Sequence, residues 1–202
     1  MARDLILASA SAVRARLLAD AGLDFRVEPA ELDEGVLKKA WRAEQRDAAD
    51  CALALAEAKA RQVAARRDRA LVIGADQILV SGEVWFDKPA DIAEARAQLQ
   101  ALRGCTHELA TAACAVQAGT RLWHAESRPR LMMRDFTDAF LDDYIGAIGA
   151  EGPDILGSVG AYRLEGRGVQ LFEQIEGDHF AILGLPLLEL LGFLRKTGEI
   201  RS

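Results

Sequence analysis

Short apolar runs alternate with alanine-rich stretches along this chain, and that alternation predicts a mixed α/β fold. Leu5-Ile6-Leu7 and Leu71-Val72-Ile73 are continuous apolar runs of the kind buried strands need. Between them, Ala8-Ser9-Ala10-Ser11 reads as a hydroxyl-rich turn before a helix carrying Val13, Leu17 and Leu18, with Ser9 or Ser11 as its cap. Phe25 and Val27 suggest a second strand running into an acidic corner, Glu31-Leu32-Asp33-Glu34. Residues 47–66 read as a helix with Ala52, Leu55, Ala56, Ala60 and Val63 on one stripe.

After Ile73 the chain alternates through Ile78 and Val80, turns at Ser81-Gly82 and returns through Val84 and Phe86 to Asp87-Lys88-Pro89, which predicts a hairpin. Asp91 caps the next helix, closed by Gly104. Residues 105–117 and 121–133 read as one long hairpin at or near a sheet edge, joined at Ala118-Gly119-Thr120. Thr137 caps a helix carrying Phe140, Leu141, Tyr144 and Ile145, ended by residues 149–153. Residues 157–162 are small, residues 163–168 form a turn with Glu165 near its tip, and Val169, Leu171 and Phe172 suggest a further strand. Gly184-Leu185-Pro186 opens a last helix too leucine-rich to be exposed, so it is core or a subunit contact.

No repeat, low-complexity linker or break divides the sequence, and its 202 residues suit a single domain over 1–202 or two tightly joined lobes. A net charge of −6 argues against a nucleic-acid polymer or a membrane surface as partner, since both call for a basic face. A small anionic substrate is still allowed. Cys51, Cys105 and Cys114 have no metal-binding spacing and are odd in number, so they read as reduced core residues. With no signal-peptide core or membrane-length apolar run, the expected location is cytoplasmic.

The candidate chemistry gathers around Asp76, which follows a buried strand and two small residues that would let a ligand approach the backbone. The hairpin brings Lys88 back towards its level, as a functional partner or a structural one. Lys59, at the centre of an apolar helix face, must either snorkel to solvent or meet a negative partner. Glu34 and its acidic neighbours could hold a divalent cation if they converge with Asp76, or could simply be solvated. Ser9 and Ser11 at a helix N-terminus, with Arg14 and Arg16 in its first turns, would make a phosphate cradle, or simply an ordinary serine cap with arginines on a solvated face.

Common alternatives are missing. The sequence has no GxxxxGK[ST] loop, no GxGxxG after a strand, no HExxH and no GxSxG elbow. His107, His124 and His179 are scattered and read as structural. What remains is hydroxyls, arginine, lysines and acids, the equipment for a metal-assisted reaction at a phosphate.

As a set, LASAS with Arg14, Asp33-Glu34, LALAEAKA with Lys59, IGADQ with Asp76, DKP with Lys88, GCTHELAT, VGAYRLEGRG and ILGLPLLEL resemble the successive motifs of the Maf family from about residue 5 to 194. That resemblance implies a mixed twisted sheet with flanking helices and two lobes around a deep cleft, similar to the inosine triphosphatases. It also implies a homodimer dependent on Mg²⁺ or Mn²⁺ that cleaves a nucleoside triphosphate between its α and β phosphates. By the same resemblance Asp76 is the proton acceptor near the metal, and Glu34 is an accessory acid or metal ligand. Lys59, Lys88, Ser9, Ser11 and Arg14 would hold the triphosphate.

Branches of the family differ at three positions, here Val13, Gln77 and Glu165. Gln77 and Glu165 resemble the branch acting on 7-methyl-GTP, whereas the dTTP and UTP branch typically has threonine and glutamine there. Val13 stands where the 7-methyl-GTP branch commonly has tryptophan, and Ala12 stands where the family usually has proline. A nucleotide-binding regulator of septum formation is the competing class.

Overall fold

The computed structural model describes residues 4–151 and 156–201, so the helix stop expected at Pro153 lies outside the described residues. The chain divides into two compact units, residues 1–77, 110–128 and 178–202, and residues 78–109 and 129–177. Two long strands, β3 (Leu71–Ser81) and β5 (Thr106–Gln117), contribute to both.

In the first unit, β1 (Leu5–Leu7) pairs in parallel with β2 (Arg26–Val27) and with β3, Leu5 opposite Leu71 and Leu7 opposite Ile73. The apolar runs are continuous because both faces of these strands are covered. Leu7 and Ile73 face α1 (Ala12–Asp20) and α7 (Leu187–Lys196), packing with Leu17, Leu18, Leu187, Leu190 and Leu194. Ile6 and Val72 face α3 (Ala48–Ala64), packing with Ala56, Ala60 and Val63. Small residues let α3 come close: a Cβ on Gly74 would stand 2.0 Å from the Ala56 carbonyl oxygen.

The acidic corner is not a loop. Asp33 caps α2 (Glu34–Ala43), its Oδ1 accepting from the Gly35 and Val36 N–H groups. No α2 residue is fully buried, so the helix left no strong apolar stripe in the sequence. The short α6 (His179–Ile182), capped by Asp178, was likewise not anticipated.

β5 and β6 (Thr120–Ser127) form the expected hairpin, with Ala118 and Gly119 at φ 46° and 78° as a tight turn between antiparallel strands requires. The expected continuation to residue 133 is broken at Arg128-Pro129, where proline has no N–H to give a ladder, and β7 (Arg130–Met133) begins a separate pairing with β5. With β3 beside it, β5 is an interior strand rather than an edge.

In the second unit, β3 and β4 (Val84–Phe86) make the predicted hairpin, but Ser81 pairs with Val84, so the turn is Gly82-Glu83, with Gly82 at φ 59°. Asp91 caps α4 (Ile92–Leu102), and the Thr137 hydroxyl accepts from the Phe140 N–H at the start of α5 (Asp138–Glu151). The strand expected from Val169 starts only at Phe172, as β8 (Phe172–Glu176), antiparallel to β7; residues 167–171 form a 3-10 turn. Cys51 and Cys114 are buried and all three cysteines are free. Among the described residues no helix is long and apolar enough to cross a membrane.

Candidate active site

Lys59 does not snorkel. Its side chain is 9 % exposed, and the ammonium lies 2.6 Å from Asp76 Oδ1 and 2.6 Å from Glu34 Oε1. Three elements therefore converge: α3 supplies the cation, β3 the aspartate just beyond Gly74-Ala75, and the first turn of α2 the glutamate. Lys38, one helical turn after Glu34, comes within 3.7 Å of its other carboxylate oxygen. The charges alternate along the row Lys38, Glu34, Lys59, Asp76, which is how buried charges offset the cost of leaving water. The Glu-to-Lys i,i+4 spacing was visible in the sequence, but only the helix gives it meaning.

Asp76 is 5 % exposed, and while Oδ1 is held by Lys59, Oδ2 is buried with no hydrogen-bond partner. A desolvated carboxylate oxygen without a donor is costly, and a proton or a cation would relieve it. Asp76 and Glu34 are oxygen donors of the kind that could hold a divalent cation. Among the described residues no group of three or more His, Cys, Asp or Glu side chains is placed to hold a metal unaided.

The hydroxyl-rich turn leads into α1 as expected. Ser11 is the cap, its hydroxyl accepting from the Arg14 N–H, and the Ser9 hydroxyl accepts from the Ser11 N–H and from Arg14 Nη1. Arg14 also donates through Nη1 to the Ala75 carbonyl at 3.0 Å and through Nε to the Gly184 carbonyl at 2.7 Å. Burial lowers the Arg14 pKa from its ordinary value, opposed by the charges of Asp76 and Glu34. Arg16 points away, pairing at the surface with Asp20.

Gln77 directs its amide nitrogen to Thr111 Oγ1 and to the Ala181 and Ile182 carbonyls. Val13 is partly buried in the first turn of α1. Thus Ser9, Ser11, Val13, Arg14, Glu34, Lys59, Asp76 and Gln77 all belong to the first unit. Lys88, exposed just after β4, and Glu165, paired with Arg163 at 3.4 Å, belong to the second. His107 is buried, its Nε2 hydrogen-bonded to the Tyr162 hydroxyl at 2.8 Å, and desolvation pushes its pKa down to about 4. His124 and His179 are exposed.

The sequence matches the Maf-like protein family over residues 4–197. A nucleoside triphosphate pyrophosphatase of Paramagnetospirillum magneticum is 52 % identical over 96 % of this chain and 99 % of its own length. One of the same name from Granulibacter bethesdensis is 50 % identical over 95 % of this chain and 96 % of its own. A 7-methyl-GTP pyrophosphatase of Rhizobium etli is 46 % identical over 99 % of each. Relatives this similar over nearly their full lengths, together with the family match itself, establish that this chain belongs to the Maf family.

Proposed function

We propose that this chain is a nucleoside triphosphate pyrophosphatase, hydrolysing the bond between the α and β phosphates to release a nucleoside monophosphate and pyrophosphate. The observation that carries it is the buried Asp76 carboxylate, one oxygen fixed by Lys59 and the other unspent. In this reading Asp76 Oδ2 accepts a proton from water as the water oxygen bonds to phosphorus and the bridging P–O bond breaks, with pyrophosphate as leaving group. Lys59, bonded to Oδ1, fixes the orientation of the aspartate. The N-terminus of α1 with Ser9, Ser11 and Arg14 receives phosphate oxygens, and Lys88 offsets charge on the leaving group. Asp76 and Glu34 would hold a divalent cation, Mg²⁺ or Mn²⁺, which when bound neutralises phosphate charge.

The substrate class we favour is 7-methyl-GTP or another modified guanine nucleotide. A carboxylate at Glu165 accepts hydrogen bonds from the N–H edge of guanine, and a relative covering 99 % of this chain carries the 7-methyl-GTP name. Val13 cannot stack on a cationic base as tryptophan would, which keeps dTTP and UTP as the second reading. The reading includes a homodimer working in the cytoplasm. A nucleotide-binding regulator of septum formation would need phosphate ligands but no base beside them.

The test is pyrophosphate release from a panel of plain and methylated triphosphates with Mg²⁺ or Mn²⁺, using the wild-type protein and Asp76→Asn. Expected is turnover greatest with 7-methyl-GTP, lost about a thousandfold or more in the variant while nucleotide binding persists. Unchanged turnover in Asp76→Asn would remove the base from the mechanism, and a preference for UTP or dTTP would overturn the substrate class.

A further inference from the structure

Gln77 lies next to Asp76 in sequence but not on the same side of the sheet. Side chains along a strand alternate between faces. Val72, Gly74 and Asp76 look towards α3, whereas Ile73, Ala75 and Gln77 look towards α7 and the segment before it. On that second face the Gln77 amide nitrogen has three acceptors for its two hydrogens: Thr111 Oγ1 at 2.8 Å, the Ala181 carbonyl at 2.9 Å and the Ile182 carbonyl at 3.1 Å. The buried Thr111 hydroxyl donates in turn to the Ala181 carbonyl at 3.0 Å. Both amide hydrogens are therefore engaged inside the protein, with none left to donate to a nucleotide base.

Arg14 reaches the same segment, with Nε on the Gly184 carbonyl and Nη1 on the Ala75 carbonyl. Asp76 is thus bracketed. The residue before it is tied through Arg14, and the residue after it through Gln77 and Thr111, to three carbonyls of residues 181–184. We propose that Gln77 and Thr111 are positioning residues: together they clamp the C-terminal end of α6 to β3 and β5 and so hold the Asp76 carboxylate where it must accept a proton. This rests on the pyrophosphatase reading for its consequence, though not for the clamp itself.

The two readings of Gln77 give different kinetics. A base contact would alter KM, and differently for each base; a clamp on the general base would alter kcat for all of them alike. Thr111→Val removes the hydroxyl while keeping the shape, at a residue with no assigned contact to substrate. Expected for Thr111→Val and for Gln77→Leu is a fall in kcat of about tenfold or more on every accepted triphosphate, with KM within about twofold, since small misplacement of a reacting group is enough for such losses.

The double variant should be no worse than the poorer single one, because the two residues act as a unit. Thr111→Ser, which retains the hydroxyl, should restore kcat. Independently of turnover, amide hydrogen exchange at Gly184, whose N–H bonds to the Ala181 carbonyl, should quicken in both single variants. A Gln77→Leu enzyme with altered base preference and unchanged kcat would overturn the proposal, as would Thr111→Val with wild-type kcat and wild-type exchange. Were the wild-type protein to release no pyrophosphate from any triphosphate, the activity reading would fall, and the exchange measurement would still decide the clamp.

Discussion

The Lys59 ammonium and the Asp76 carboxylate meet at 2.6 Å although the two residues stand 17 apart in sequence, one on α3 and one on β3. Neither can turn to water, since their side chains are 9 % and 7 % exposed. Removing one member of such a buried pair leaves the other charge desolvated, which costs more than the intact pair contributes.

Lys59→Met should accordingly destabilise the protein by about 3 kcal/mol at neutral pH, because Asp76 and Glu34 would then share the loss of one cation. Urea unfolding measures this. A second variant, Lys59→Met with Asp76→Asn, should recover part of the loss by removing one of the stranded charges. Equal stability of the single and double variants would mean that Lys59 contributes packing rather than charge.

The parts of this arrangement that could be read in the sequence are those set by local chemistry. A lysine inside an alanine stripe and an acid just past a buried strand each announce an unusual environment, so Lys59 and Asp76 stood out before any contact was known. A serine cap on α1 and the two-faced burial of β1 and β3 were legible for the same reason, though only the fold picks Ser11 over Ser9. Helix α2 was not, because it buries none of its residues fully and its start resembles a solvated acidic turn. Nor was the use of Gln77, whose partners lie 34 and 104 residues away. Arg14 could be recognised as a cation near a helix N-terminus, but only the fold shows it gripping main-chain carbonyls at residues 75 and 184. Local pattern specifies an element and its cap, whereas a long-range hydrogen bond is settled by how the elements pack.

Gly74 sets how closely α3 approaches β3, and with it the reach of Lys59. An added methyl group would stand 2.0 Å from the Ala56 carbonyl oxygen and 3.0 Å from the Ala60 Cβ, and the first of these is helix backbone that cannot swing aside. Gly74→Ala should therefore cost about 3 kcal/mol, the upper end for overpacking, by pushing α3 outward. Because Lys59 lies one turn beyond Ala56, pyrophosphate release should fall in the folded fraction as well. Thermal unfolding together with activity per folded protein tests both halves, and a variant of wild-type stability would show that the helix is not held at that distance.

The last prediction concerns acid. His107 is buried against Tyr162 and Phe172, and desolvation lowers its pKa from 6.5 to about 4. The folded protein therefore resists a proton that the unfolded chain accepts. Above the ordinary value both states are neutral and His107 has no effect; between 6.5 and about 4 only the unfolded state is protonated, so stability falls as the pH falls. Over that window the loss amounts to about 3 kcal/mol, from roughly 1.4 kcal/mol for each pH unit. His107→Gln, which is uncharged throughout and keeps a polar group opposite the Tyr162 hydroxyl, should flatten the stability curve there. The carboxylates Asp47 and Glu57, whose pKa values are lowered in the folded protein, also lose their contribution as the pH falls through the acid end of this window, but they do so in both proteins alike, so the difference between the two curves isolates His107. Urea unfolding of both proteins at intervals across the window gives the comparison: parallel slopes would mean that His107 takes up its proton as readily folded as unfolded, and that its burial carries no electrostatic cost.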